Sequence, residues 1–147
     1  MNTERPHCDF DVLSLATEAD LTIPGRVDAI GPAVDMVMAA VAELDCASGK
    51  EFEIELALTE ALANAVEHGC EHDPGKKVEV WLGCDHVHGL LIVVRDPGPG
   101  FDPAQIPSPI EGEQVYREGG RGVYLINRLM DHVEYDRGGT EIRMRKR

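Results

Sequence analysis

The sequence predicts an α+β protein in which helices cover one face of a mostly antiparallel β-sheet, forming a two-layer sandwich. Segments with strand and helix periodicity follow one another in the order β-α-α-β-β-loop-α-β-β, which favours this layered arrangement. The chain has 147 residues and 43% hydrophobic content, which is enough for one buried core. We therefore expect a single domain.

The N-terminal segment differs from the rest of the chain. Residues 1–18 are polar and show no sustained periodicity, so we expect a loosely held extension there and one domain over residues 19–147. Ala19–Pro24 alternates briefly between apolar and polar residues and predicts an edge strand.

Two helices follow this strand. Apolar residues recur at three- and four-residue steps over Arg26–Leu44, the pattern of an amphipathic helix. The apolar positions of this helix are Val27, Ile30, Val34, Val37, Met38, Val41 and Leu44. A second helix is expected from about Lys50 to His68, ending at Gly69, because glycine commonly terminates helices.

The C-terminal half combines strands with a long irregular segment. Lys77–Cys84 and Gly89–Arg95 predict two strands joined by a polar hairpin. Phe101–Gly120 has no periodicity, and so long a loop inside a compact domain usually serves as a lid or a binding loop. Val123–Met130 predicts a short helix. The last two predicted strands are Val133–Tyr135 and Glu141–Arg145.

The charge balance excludes several classes of partner. Twenty-seven acidic and fourteen basic residues give a net charge of −13, which repels nucleic acids, so we expect no direct nucleic-acid binding. No apolar run reaches the roughly 18 residues that a transmembrane helix needs, and Met1–Asp11 does not resemble a signal peptide. These features predict a cytoplasmic protein without membrane contact.

Two groups of side chains invite simpler explanations. The four cysteines are scattered and lack the CxxC spacing of a zinc site, so we expect reduced thiols and no metal cluster. The basic residues near the C-terminus are expected to be solvated. They are Arg143, Arg145, Lys146 and Arg147.

The second predicted helix carries the first motif of chemical interest. Glu60, Asn64 and Glu67 gather on a narrow strip beside an apolar face. A carboxylate and an amide one turn apart can present a base and an oxygen ligand to one pocket. The alternative is an ordinary solvated helix edge, although asparagine is a weak helix former and its place in the middle of a helix calls for a reason.

A second motif follows directly after an apolar strand. Asp96–Phe101 reads Asp-Pro-Gly-Pro-Gly-Phe. Its glycines let the backbone approach a flat ligand, and an aspartate at a strand end can accept a hydrogen bond from an exocyclic amine. The segment by itself is equally consistent with a tight turn.

A third motif precedes the short helix. Gly119–Gly122 reads Gly-Gly-Arg-Gly, and free amides at a helix start attract phosphates. It does not match the GxxxxGK[ST] pattern of a P-loop. The alternative for this segment is a flexible hinge.

Taken in order, these motifs resemble the Bergerat-fold ATP-binding domain shared by DNA gyrases, histidine kinases and MutL-like proteins. The E-x-x-x-N-A box of that family is matched by Glu60–Ala65 and extended by His68 and Gly69. Its D-x-G-x-G box is matched by Asp96–Gly100, and its G-x-G box by Gly120–Gly122. Gly139-Thr140 matches a closing Gly-Thr pair, and the resemblance covers about residues 20–147.

Within that superfamily the chain is similar to the stand-alone anti-sigma-factor serine kinases. The short single domain, the Asn64–Gly69 extension and the absence of attached histidine-phosphotransfer helices support this likeness. The resemblance implies that Glu60 is the general base and that Asn64 is a ligand of Mg²⁺. It implies that Asp96 accepts the adenine amino group. The other implied nucleotide-binding residues are His68, Gly98, Gly100, Gly120, Arg121, Gly122 and Thr140.

The implied function is that of an ATP-dependent protein serine kinase that acts as an anti-sigma factor in transcription regulation. Its expected cofactors are ATP and Mg²⁺. Its expected partners are a sigma factor and an antagonist protein that it phosphorylates on serine in a bacterial partner-switching pathway. Self-association as a homodimer is also consistent with the likeness.

Two other functions stay open at this point. The lid segment Phe101–Gly119 contains only Arg117 as a cation, which favours a non-catalytic module in which ATP binding controls affinity for a partner protein. A detached histidine-kinase catalytic domain acting on a separate partner is the third possibility.

Overall fold

A computed structural model of the protein describes residues 17–45, 47–71, 73–85, 89–98, 120–136 and 140–147. Within them it contains a five-stranded sheet and three α-helices, which confirms the predicted α+β class. The elements are β1 (Thr17–Pro24), α1 (Ile30–Leu44), α2 (Glu51–Asn64), β2 (Lys77–Asp85), β3 (Gly89–Arg95), α3 (Gly120–Leu129), β4 (His132–Asp136) and β5 (Glu141–Lys146). The predicted lid, and all but the last two residues of the predicted extension, lie outside the described residues.

The strands are arranged in the order β1-β2-β3-β5-β4, and every neighbouring pair is antiparallel. β1 lies at an edge of the sheet, as predicted, and begins at Thr17, two residues earlier than expected because its pairing with β2 continues to Cys84. β3 lies in the middle between β2 and β5. Its central position explains its nearly continuous apolar sequence, since both of its faces are buried.

The core lies between the helices and one face of the sheet. Leu58 and Leu62 of α2 are fully buried and pack in the same cluster as Ile92 of β3 and Met144 of β5. The apolar face predicted for the second helix is therefore confirmed. Its buried residues include Ile54, Leu58, Ala61, Leu62 and Ala65.

The opposite face of the sheet carries a smaller apolar cluster and a charged network. Leu91 and Val93 are buried there, with Trp81 packed against them. Beside this cluster, Glu141 is completely buried and both of its carboxylate oxygens accept hydrogen bonds from arginines. The strand pairing thus brings polar side chains together away from the helices.

Three detailed expectations are wrong. Val27 is 56% exposed, because it lies in a short 3₁₀ turn before α1 and not on the apolar face of the helix. The basic residues near the C-terminus are not all solvated, since Arg143 and Lys146 are buried. Cys84 is disulfide-bonded, so the expectation of reduced thiols fails there, whereas Cys70 is free and buried.

Candidate functional site

The candidate site begins on α2, where a polar strip borders the apolar face. Glu60 and Asn64 are half-buried, one helical turn apart, while the neighbouring Ala61 and Leu62 are buried. A side chain at position i lies beside the side chain at i+4 on a helix. The carboxylate of Glu60 and the amide of Asn64 therefore lie along the same side of α2, as predicted.

The end of this helix departs from the expected α-helical geometry. After Asn64 the chain forms a π-helical turn over Ala65–Gly69, and the backbone amide of Cys70 donates to the carbonyl of Ala65 at 2.8 Å. π-helical turns are rare and occur frequently at functional sites. The sequence pattern predicted only that the helix ends at Gly69.

Gly69 joins the first motif to the second. An added Cβ on Gly69 would lie 2.5 Å from the Cβ of Asp96, and one on Gly98 would lie 2.5 Å from the Cα of Gly69. Both separations are too short for real carbon atoms, so neither glycine has room for a side chain. Two motifs that are distant in the sequence thus meet at a contact between glycines and an aspartate.

Besides its contact with Gly69, Asp96 is held in place by two hydrogen bonds. Its backbone amide donates to the carbonyl of Thr140 at 2.8 Å, and its Oδ1 atom accepts from the amide of Gly98 at 2.8 Å. Three of the predicted site residues, namely Asp96, Gly98 and Thr140, are therefore neighbours. They lie where β3 ends and β5 is about to begin.

The electrostatic environment of Asp96 favours a role as a hydrogen-bond acceptor. Burial raises the pKa of its carboxyl group, while the hydrogen bond from Gly98 and the charge of nearby His68 act in the opposite direction. Burial also raises the pKa of the Cys70 thiol, and the negative charge of Asp96 adds to this effect. A partly desolvated carboxylate makes stronger hydrogen bonds to a ligand than a fully solvated one does.

The third motif has a different local structure from the one expected. Gly120–Gly122 forms the first turn of α3, whereas the sequence predicted a helix start at Val123. The first amides of a helix need no intrahelical partner, and packing of α3 against α2 outweighs the low helix propensity of glycine. The predicted phosphate-binding amides are therefore at a helix N-terminus.

Part of the predicted site is not described. Gly100 and Gly139 lie outside the described residues, and the side chain of Arg121 is not described either. Sequence reasoning also missed Gly69 as a residue of the site itself. The signal was its place directly after His68 in the extended first motif, but the sequence pattern gave it no role beyond that match and the end of the helix.

The donor set fits ATP with Mg²⁺. A half-buried carboxylate suits an exocyclic amine, and the amides at the start of α3 suit phosphate oxygens. Within the described segments no three His, Cys, Asp or Glu residues are grouped as ligands of a metal ion. Mg²⁺ is commonly held by one or two protein ligands with phosphates and water completing its shell, so a single protein oxygen, such as that of the half-buried Asn64 amide, is enough for this fit.

Comparison with known proteins identifies related chains. The model of the histidine kinase-like ATPase domain family matches residues 23–146. A serine-protein kinase RsbW of Oceanobacillus iheyensis is 29% identical over 122 residues, covering 78% of this chain and 76% of that protein. Its counterpart in Halalkalibacterium halodurans is 30% identical over 121 residues, covering 78% of this chain and 73% of that protein. The serine-protein kinase RsbW of Bacillus thuringiensis is 30% identical over 133 residues, covering 82% of this chain and 79% of that protein.

Proposed function

The chain belongs to the histidine kinase-like ATPase domain family and to that of the serine-protein kinases RsbW, and on this premise we propose that it transfers phosphate from ATP to a serine of a partner protein. One structural observation carries the proposal. The contact among Gly69, Asp96 and Gly98 joins the end of the helical segment that carries the polar strip to a half-buried carboxylate. A base and an adenine acceptor on adjoining elements are what an ATP-dependent kinase requires.

We assign the residues as follows. Asp96 accepts the hydrogen bond of the adenine amino group, with Gly98 and Thr140 holding its position. Asn64 supplies an oxygen to Mg²⁺, and the amides of Gly120–Gly122 bind phosphate oxygens. His68, Gly100 and Arg121 are assigned to the nucleotide site by the family resemblance alone.

Bound ATP supplies the phosphoryl group, and Mg²⁺ supplies positive charge against the phosphates. Glu60 is assigned as the general base that takes the proton of the serine hydroxyl, an effect that typically contributes about 10² to 10⁴ in rate. Phosphoryl transfer depends mostly on positioning and charge neutralisation. A chain of net charge −13 therefore needs these aimed donors and the metal to hold a polyanionic nucleotide.

We further propose that the protein is an anti-sigma factor of a partner-switching pathway. Its partners are then a sigma factor and an antagonist protein carrying the acceptor serine, in the cytoplasm and without direct contact to nucleic acid. Self-association as a homodimer is part of this proposal. No helix within the described residues has the length and apolar character needed to cross a membrane.

The nucleotide site is tested by calorimetric titration with ATP, ADP and GTP, with and without Mg²⁺, on the wild-type protein and on Asn64→Ala. We expect selective binding of adenine nucleotides that depends on Mg²⁺ and on Asn64. Thr59→Ala is the control, because this half-buried residue of α2 bonds only to its own helix, donating to the carbonyl of Glu55 at 2.7 Å among the bonds described. Absence of binding at millimolar nucleotide would overturn the proposal.

The non-catalytic alternative is favoured by the lid segment, whose only cation is Arg117. Replacing Glu60 by Gln separates the two functions. A kinase should lose about 10²- to 10⁴-fold in single-turnover transfer of labelled phosphate while still binding ATP. The matched control is Glu55→Gln, an exposed carboxylate on the same helix. If control of a partner survives Glu60→Gln and no transfer is detected in the wild-type protein, the chain is a nucleotide-gated binding module.

A further inference from the structure

Gly69 is the residue at which the π-helical turn of α2, the carboxylate of Asp96 and the backbone of Gly98 meet. We infer that Gly69 is a positioning residue that determines selectivity for adenine over guanine nucleotides by fixing the place of the Asp96 carboxylate. This inference rests on the proposed nucleotide site and deepens it. It assigns the selectivity of that site to a residue that offers no functional group of its own.

The packing around Gly69 leaves no space on either side. A Cβ on Gly69 would meet the Cβ of Asp96 at 2.5 Å, and a Cβ on Gly98 would meet the carbonyl oxygen of Gly69 at 2.6 Å. Restoring ordinary contact distances would require a displacement of about 1 Å, which is enough to impair a site that depends on orientation. The side chain of Asp96 therefore keeps its position only while residue 69 is glycine.

The π-helical turn provides the second half of the argument. Its hydrogen bond from Cys70 to Ala65 fixes the backbone at Gly69, which is buried. The same turn begins directly after Asn64. One turn therefore connects Asn64, the proposed Mg²⁺ ligand, to Gly69, which packs against the proposed adenine acceptor Asp96.

The chemistry of purines explains why position matters. Adenine presents an amino group where guanine presents a carbonyl oxygen, so a carboxylate at this place attracts the first and repels the second. Sites that read a hydrogen-bonding group in this way can discriminate by about 10⁴-fold. A carboxylate displaced by about 1 Å loses alignment with the amino group and leaves room for water between them.

The experiment measures ATP and GTP affinities of Gly69→Ala by calorimetry. We expect ATP binding to weaken about 10- to 150-fold, the range of one charged hydrogen bond, and the ATP to GTP ratio to fall by a similar factor. The ratio of ATP to ADP affinity should stay unchanged, because the three atoms nearest the added Cβ all belong to Asp96 and none belongs to the proposed Mg²⁺- or phosphate-binding residues. A general loss of stability would not lower the ratio of ATP to GTP affinity while leaving the ratio of ATP to ADP affinity unchanged.

Two glycine controls separate this effect from crowding. Gly89→Ala crowds the C-terminal segment, because its Cβ would meet the carbonyl oxygen of Lys146 and lie 2.8 Å from the Cα of Arg147, at the end of β3 opposite to Asp96. It should cost stability and leave selectivity intact. Gly31→Ala lies on α1 with nothing within 4 Å of its Cβ, so it should leave selectivity unchanged without lowering stability.

A double-mutant cycle with Asp96→Asn tests whether Gly69 acts through Asp96. We expect the double variant to bind ATP about as weakly as Asp96→Asn alone, since residues that act through one contact are not additive. Additive losses, or unchanged selectivity in Gly69→Ala, would overturn the inference while leaving the nucleotide site in place. Failure of both Gly69→Ala and Gly98→Ala to fold would also overturn it, because the glycines would then serve the fold. If the wild-type protein binds no nucleotide, the proposed function itself fails.

Discussion

At Asp96 the proposed function and the stability of the protein oppose each other. Its carboxyl is half-buried at the end of β3 and bonded to the amide of Gly98. We predict that Asp96→Asn weakens ATP binding by about 10- to 150-fold, because one hydrogen bond to a charged group contributes about 1.5 to 3 kcal/mol. Calorimetric titration measures this loss. Unchanged affinity would mean that Asp96 is only a turn residue.

The same substitution predicts a change in how stability depends on pH. Burial raises the pKa of Asp96, so the folded protein holds this proton more tightly than the unfolded chain does. The free energy of unfolding therefore decreases as pH rises from the unfolded pKa of about 3.9 through the raised folded-state pKa. Above the folded-state pKa the protein carries the full destabilisation of burying the ionised carboxylate. Asparagine does not ionise, so the Asp96→Asn variant does not lose this stability as pH rises.

We accordingly predict that Asp96→Asn gains stability relative to the wild-type protein as pH rises from about 3.5 to 7, a window that brackets the unfolded pKa. Urea unfolding without nucleotide, at a series of pH values, measures this difference. Asp20→Asn is the control for loss of one negative charge, because Asp20 is exposed on β1. A difference between Asp96→Asn and wild type that is constant with pH would contradict the burial of a charged carboxylate.

At the scale of elements, Lys146 fastens β5 to two helices. Its Nζ atom donates to the carbonyl of Leu129 at the end of α3 and forms an ion pair with Glu53 of α2. A second carboxylate, that of Asp131, lies 3.9 Å away. The Lys146 side chain is only 9% exposed, so water hardly solvates its charge. These partners therefore compensate a charge that would be costly to bury alone.

We predict that Lys146→Met destabilises the protein by about 1 to 3 kcal/mol, since a helix-end carbonyl and a carboxylate lose their partner. Thermal unfolding should show a decrease in Tm of about 2 to 4 °C for each kcal/mol. Lys77→Met at the exposed start of β2 is the matched control and should change little. Equal effects of the two substitutions would refute the role of Lys146.

Glu141 plays a corresponding part on the other face of the sheet. Its Oε1 accepts from Arg95 on β3, and its Oε2 accepts from Arg143 on β5, each bond measuring 2.7 Å to the arginine Nε. Arg95 and Glu141 are paired across β3 and β5. Arg95 directly precedes Asp96 in the chain, and Glu141 directly follows Thr140. The ion network therefore holds the two strands together at the point where the candidate site begins.

We predict that Glu141→Gln lowers the free energy of unfolding by about 1 to 3 kcal/mol, because two arginines lose their shared charged acceptor in a buried place while Glu79 and Asp136 still compensate part of their charge. Glu79→Gln is the comparison. Glu79 is 41% exposed and lies 3.7 Å from Arg95, so it should cost less than about 1 kcal/mol. Chemical denaturation measures both, and a Glu141→Gln variant as stable as Glu79→Gln would show that the network contributes nothing.

For the whole molecule, the net charge of −13 predicts a dependence on salt. Like charges repel in the compact state, and this repulsion is screened once the Debye length falls from about 14 Å near 0.05 M salt to about 4 Å near 0.5 M. We predict that Tm rises over this range, as measured by circular dichroism. A fall in Tm would show that screening of ion pairs outweighs screening of the repulsion.

Much of the fold was predictable from sequence patterns. The second helix, the paired strands before Asp96 and the sandwich class all follow from periodicity within short segments. Other details were not predictable in this way. Val27 continues the apolar spacing of α1 but lies in a 3₁₀ turn, because the position of a helix start depends on contacts beyond the segment.

For the candidate site, the sequence by itself determined that Glu60 and Asn64 lie on one side of a helix and that Asp96 directly follows a buried strand. These are properties of neighbouring residues and their periodicity. Only the tertiary structure decided that Gly69 contacts Asp96 and Gly98, and that Lys146 is buried. Such contacts join residues far apart in the chain, and whether a glycine serves as a helix end or a packing surface depends on what the fold places against it.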